Sequence, residues 1–171
     1  MSPEAGRQRY KISVSGSRHP GSPTLREALN RKYMSLVTII IDDDQLTCKI
    51  HEKFLKYAEI TTEPRIYLNA LEALDFLHNN QEAGDDYLIF LDINMPVMSG
   101  WTFLEELKRL PARNYHVVII SSSVQPSDRE RAGWYPNVIR YVVKPIDKSS
   151  LKEVKAFIDE KYPAGRLQNL A

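Results

Sequence analysis

The chain has 171 residues, 43% hydrophobic and 26% charged, with a net charge of +1. That length suits one ordinary domain with a buried core rather than two, and a single cysteine, Cys48, excludes an intrachain disulfide framework. No apolar run approaches the ~20 residues of a membrane helix, and the N-terminus lacks a signal-peptide core, so the sequence reads as cytoplasmic.

Residues 1–33 hold seven Lys/Arg against two Glu, a net of +5, and leave −4 on the remainder. The stretch "SVSGSRHPGSP" within them is linker-like, so 1–33 is read as a flexible basic extension. Met34 opens "MSLVTIII", which places the folded domain at 34–163 and a short tail at 164–171.

From there, β-branched runs alternate with helical patterns. Strands are expected at 36–42, 64–68, 87–92, 116–121 and 139–143. Spacings of three or four mark the intervening helices: Leu46, Ile50 and Phe54 in the first, Leu71, Leu74 and Leu77 in the second. Leu104 and Leu107 mark the third, and Leu151, Val154 and Ile158 the last. A shorter fourth helix should follow "QPSD", with Ser127 as its N-cap. Continuously apolar strands alternating with helices predict a doubly wound α/β fold with a five-stranded parallel sheet.

The strand ends carry the chemistry. Asp42, Asp43 and Asp44 close the first strand, Asp92 the third and Ser121 the fourth; the fifth runs into Lys144-Pro145. In such a sheet the functional crevice lies beyond the carboxyl ends of the strands. Two carboxylates about 4 Å apart repel by roughly 4 kcal/mol at an effective dielectric near 20, so the cluster calls for a counter-charge. Oxygen donors without His or Cys suit Mg²⁺, or Mn²⁺. Asp42 and Asp43 are assigned to that site, and Asp44 to the helix N-cap. Lys144 could neutralise the cluster and grip a phosphoryl oxygen as a point charge.

The motifs "IIIDDD", "LIFLDINMPVMSG", "VVIISSS" and "YVVKP", in this order, resemble the receiver domain of two-component response regulators over about residues 36–160. The resemblance implies a flavodoxin-like (βα)5 fold in which Asp92 accepts a phosphoryl group from a partner's phosphohistidine. It implies that Asp42, Asp43 and Asp92 hold Mg²⁺ together with the backbone carbonyl of Asn94. It further implies that Lys144 and Ser121 assist the transfer, and that Ser121 and Tyr141 form the switch. The partners would be a sensor histidine kinase or a histidine phosphotransfer protein, and a downstream protein target. The resemblance also allows a homodimer through the face of the fourth helix, fifth strand and fifth helix. About ten residues follow the last helix, too few for a DNA-binding unit, so output is expected through protein contact and the chain is not expected to be an enzyme.

Two departures stand out. Ala70 replaces a glycine common before the second helix, and "AGWYPNVIRY" differs from the usual spacing ahead of the fifth strand, leaving the fourth helix undefined. Two other classes compete. A small aspartyl-phosphate phosphohydrolase would use the Asp-x-Asp offered by residues 42–44, but a cap domain and a late acidic pair are missing. A degenerate receiver would only bind proteins, and Asp43, Asp92 and Lys144 argue against it. His19, His51, His78 and His116 show no metal-ligand spacing and are read as surface or packing residues, as are Trp101 and Trp134 as helix-packing residues.

Overall fold

Ile39, Ile40 and Ile41 are all inaccessible to solvent, as are Leu88, Ile89 and Leu91 on a neighbouring strand. Strands buried on both faces need helices above and below, and the chain supplies them. The computed structural model describes residues 36–80, 85–110 and 114–162. The expected extension 1–33, the tail 164–171 and His19 lie outside these residues.

Five strands, β1 (Leu36–Ile41), β2 (Arg65–Tyr67), β3 (Asp86–Leu91), β4 (Tyr115–Ser121) and β5 (Val138–Val143), alternate with five helices. These are α1 (Gln45–Tyr57), α2 (Ala70–Asn79), α3 (Gly100–Leu107), α4 (Pro126–Ala132) and α5 (Lys148–Lys161). All strand pairs are parallel, in the order β2-β1-β3-β4-β5. The doubly wound sheet read from the sequence is therefore the observed one.

Side-chain alternation splits the core between the two faces. Ile39, Ile41, Ile89 and Leu91 pack with α2, α3 and the end of α4. Ile40, Leu88, Phe90 and Val118 pack with α1 and α5 through Cys48, Leu55, Leu151, Val154 and Ile158. The order reverses between β1 and β3, whose register sets Ile41 beside Leu91. Asp42 and Asp92 thus emerge side by side at the switch point.

Four local expectations are corrected. Leu46 is 67% exposed and Ile50 is also exposed; the core face of α1 is instead Cys48, His51 and Leu55. Leu71 is exposed, because Ala70, Ala73 and Leu77 give α2 its buried face. Ser127 does not cap α4: Pro126 begins the helix, and Gln125 stands at the cap without a side-chain hydrogen bond. Trp101 packs in the core and stacks on Tyr135 with centroids 6.0 Å apart, but Trp134 is exposed.

At the opposite end of the strands lies a buried polar cluster that sequence reading did not find. Asp86 accepts hydrogen bonds from Tyr162 Oη and, at 2.7 Å, from Asn114 Nδ2. His116 Nε2 sits 2.9 Å from the same phenol oxygen. The cluster fixes the C-terminal end of α5 against β3 and β4.

Candidate functional site

Each of three strand ends folds its own loop by one device: a side-chain oxygen accepts the backbone N–H two residues ahead. Asp42 Oδ1 accepts from Asp44 N at 3.0 Å, Asp92 Oδ1 from Asn94 N at 3.2 Å, and Ser121 Oγ from Ser123 N at 3.0 Å. The aspartates keep their second oxygens for the crevice. Lys144 Nζ donates to Asp42 Oδ2 at 2.7 Å and to Asp92 Oδ2 at 2.9 Å. Lys144 follows β5, where its backbone N–H donates to Ser121 O at 2.8 Å, and its bond to Pro145 is cis.

Asp42 and Asp92 are 2% and 6% exposed, whereas Asp43 is open to solvent. One carboxylate oxygen from each of the three lies within 4.8 Å of the others. Three carboxylates and one ammonium leave a formal charge of −2, the complement of a divalent cation. The donors are all hard oxygens and one is exposed, which fits Mg²⁺ or Mn²⁺ with water retained on the open side. Asp44 is apart from this group. It caps α1 by accepting from Leu46 N at 2.7 Å and Thr47 N at 3.0 Å, which holds its pKa below the ordinary value.

Burial raises the pKa of Asp42, against the lowering effect of the Lys144 and Asp44 hydrogen bonds, with Asp92 adding to the rise. Burial alone would lower Lys144, but hydrogen bonds to Asp42 and Asp92 reverse that and raise its pKa. The ammonium is therefore firmly charged. Cys48, whose Sγ donates to Asp42 O at 3.3 Å, is an inert thiol pushed up to about 12 by burial and by Asp42.

Ser121 is wholly buried, and its Oγ also accepts from Asn94 Nδ2 at 3.3 Å. With two donors on its oxygen, its own proton is left to donate. Tyr141 is half-buried on β5 and donates to Ser123 O at 3.0 Å. Ser123, the last serine of "VVIISSS", therefore joins both residues, and its hydroxyl binds Asp128 of α4. Gly100 is needed for close approach: a Cβ there would lie 2.5 Å from Asp92 O and 2.7 Å from Ile93 Cα. Val97 in the same loop holds φ at 66°, a strained conformation for a β-branched residue.

This arrangement has relatives. Residues 38–155 match the response regulator receiver domain. The chain belongs to the receiver domain family.

Among curated proteins, this receiver is 32% identical over 119 residues to the sensor histidine kinase CheAY of Helicobacter pylori, covering 69% of the chain and 14% of that protein. It is 30% identical over 118 residues to the cyclic di-GMP phosphodiesterase response regulator RpfG of Xanthomonas campestris pv. campestris, covering 68% of the chain and 30% of RpfG. The chain thus spans less than a third of the length of either relative. A solved response regulator receiver protein from Dyadobacter fermentans aligns over 76% of this chain and 100% of its own, with a TM-score of 0.65 and 28% identity. Chemotaxis protein CheY4 of Vibrio cholerae shares the fold, with a TM-score of 0.59 at 18% identity over 73% of this chain and 98% of its own. Receiver domains bind Mg²⁺ in an acidic pocket and interact with histidine kinases or phosphotransfer proteins, and the aspartate cluster here is of that kind. Among the described residues, no helix is long and apolar enough to cross a membrane.

Proposed function

We propose that this receiver takes a phosphoryl group on Asp92 from the phosphohistidine of a sensor kinase or phosphotransfer protein, and signals by protein contact. The observation that carries the reading is the meeting of Asp42, Asp43, Asp92 and Lys144 in one volume at the switch point of the sheet.

Asp42, Asp43 and Asp92, with the Asn94 carbonyl, would hold Mg²⁺, which when bound screens the charge of the incoming phosphoryl group. An Asp92 carboxylate oxygen attacks phosphorus as the P–N bond to the donor imidazole breaks, and the bonding pair returns to the imidazole nitrogen. Lys144 already touches Asp92 Oδ2 and follows the charge onto the phosphoryl oxygens. The free proton of Ser121 then donates to a phosphoryl oxygen. That movement disturbs the Ser121–Ser123 contact and with it the Tyr141 hydrogen bond.

Output is assigned to the face of α4, β5 and α5, for partner binding or homodimerisation. In support, a groove of about 230 Å³ lined by Arg129, Ala132, Val138 and Arg140 has Tyr141 at its edge. Arg140 and Glu153 pair across β5 and α5 on the same face. Acetyl phosphate with Mg²⁺ tests the reading. One acyl phosphate per chain, lost in Asp92→Asn, supports it; multiple turnover of a phosphomonoester points to a phosphohydrolase, and no labelling to a binding module.

A further inference from the structure

The segment "AGWYPNVIRY", whose spacing departs from the family's, runs from the last residue of α4 into β5. It sends its first two aromatic side chains opposite ways: Trp134 is 69% exposed and Tyr135 only 4%. Tyr135 closes against α3. Its ring stacks on Trp101 with 25° between the planes, and its hydroxyl donates to Glu105 Oε1 at 2.7 Å. Lys108 Nζ lies 4.2 Å from the centre of the Tyr135 ring and 3.0 Å from the same Glu105 oxygen. Arg131, in the last turn of α4, sets its guanidinium 4.5 Å from the centre of the Trp101 ring. Trp101, Glu105 and Lys108 stand at i, i+4 and i+7, one stripe of α3 and its C-cap.

Helix α4 has little else to seat it. Of its seven residues only Ala132, the last, is buried, and its N-cap makes no side-chain hydrogen bond. A helix this short is held by its tertiary contacts, not by its own propensity. Those contacts fall into two groups. Toward the site, Asp128 accepts from the Ser123 hydroxyl, and Arg129 lies 5.1 Å from the ring centre of Tyr141, itself bonded to Ser123. Away from it, Arg131 and the adjoining Tyr135 engage α3.

We propose that Trp101, Glu105 and Tyr135 form a clamp that serves as the fixed pivot of α4. The helix then answers the switch by swinging its Pro126–Arg129 end while its seam with α3 stays shut. Ser123 is bonded to both Ser121 and Asp128, so a shift of Ser121 reaches α4 at that end alone. The swing reshapes the groove between α4 and β5, which Arg129 and Tyr141 line, and leaves the α3 side unchanged. The clamp stands on the resting geometry; the swing rests on the reading of Asp92 as phosphoacceptor.

The test uses the full chain. Hydrogen exchange with mass spectrometry follows α4, and acrylamide quenching in a Trp134→Phe background follows Trp101, the other of the two tryptophans. Glu105 is exposed, so Glu105→Ala removes the acceptor of the Tyr135 hydroxyl without opening the core. With no activator present, it should speed exchange across α4 at least about fivefold and make Trp101 easier to quench. Tyr135→Phe deletes the same hydrogen bond, keeps the stack, and should match that exchange rate within about twofold. Beryllofluoride with Mg²⁺ should speed α4 exchange in the Trp134→Phe chain at least about fivefold while Trp101 quenching stays the same. Unchanged α4 exchange in both clamp variants overturns the clamp. Easier quenching of Trp101 on beryllofluoride overturns the pivot, because the seam has opened. A response around Ser121 with α4 unmoved overturns the swing alone. No response of any segment to beryllofluoride overturns the reading of Asp92 and the swing with it, and the two clamp variants still decide the clamp.

Discussion

Asp42 and Asp92 divide their carboxylates alike: Oδ1 takes the backbone N–H two residues ahead, and Oδ2 takes the Lys144 ammonium. Each side chain is thereby fixed by its own loop and shared with the other through one cation. Neither can swing away without opening a turn, so the oxygens that face the crevice are held in place before any ligand arrives.

Lys144 is the only positive charge in that arrangement among the described contacts. Lys144→Ala should lower stability by roughly 3 kcal/mol in EDTA, because it leaves buried carboxylates uncompensated. Excess Mg²⁺ should recover most of the loss. Urea unfolding with and without the metal measures both.

Asp43 behaves oppositely. It is exposed and contributes charge to the cluster without a hydrogen bond that holds the loop. Asp43→Asn should raise stability in EDTA by about 1 kcal/mol by removing repulsion, and should abolish the stabilisation that Mg²⁺ gives the parent chain. Thermal unfolding across a Mg²⁺ titration reads the two effects together.

Gly100→Ala should cost roughly 2 kcal/mol or more, since the added methyl meets backbone atoms of Asp92 and Ile93 that cannot turn aside. The displaced Asp92 backbone should also slow phosphorylation by acetyl phosphate. Comparable stability and rate in this variant would show that the loop yields.

His51 and His116 are buried, and burial lowers each pKa from 6.5 to about 4. Below pH 6.5 the unfolded chain binds protons that the folded chain refuses. Stability is therefore full above about pH 6.5 and is lost as the pH falls toward 4, by up to roughly 3 kcal/mol for each histidine. His51 Nδ1 also lacks a hydrogen-bond partner among the described residues. His51→Leu should gain about 1 kcal/mol at neutral pH and flatten the acid limb, as urea unfolding at several pH values would reveal.

The sheet was legible because its strands are almost unbroken β-branched and aromatic runs, and the site because Asp42, Asp92, Ser121 and Lys144 each mark a strand end. Helix α1 was not. Its outward stripe, Leu46 to Phe54, has the same period as a core face, while its true core face contains a histidine and a cysteine. Periodicity reports that a stripe exists and leaves open what covers it. Ser123 was hidden for another reason: its role lies partly in its backbone N–H and carbonyl, which every residue has. Asp86 and Tyr162 are 76 residues apart, and no local pattern links them.

The most direct measurement of the central claim is to phosphorylate the chain with acetyl phosphate and Mg²⁺, reduce it with borohydride and sequence the peptides by mass spectrometry. An acyl phosphate is reduced to the corresponding alcohol, so residue 92 should appear as homoserine, only when Mg²⁺ was present and not in Lys144→Ala at equal exposure. Homoserine at another aspartate, or unmodified Asp92 in a sample carrying one phosphoryl group per chain, would contradict the assignment.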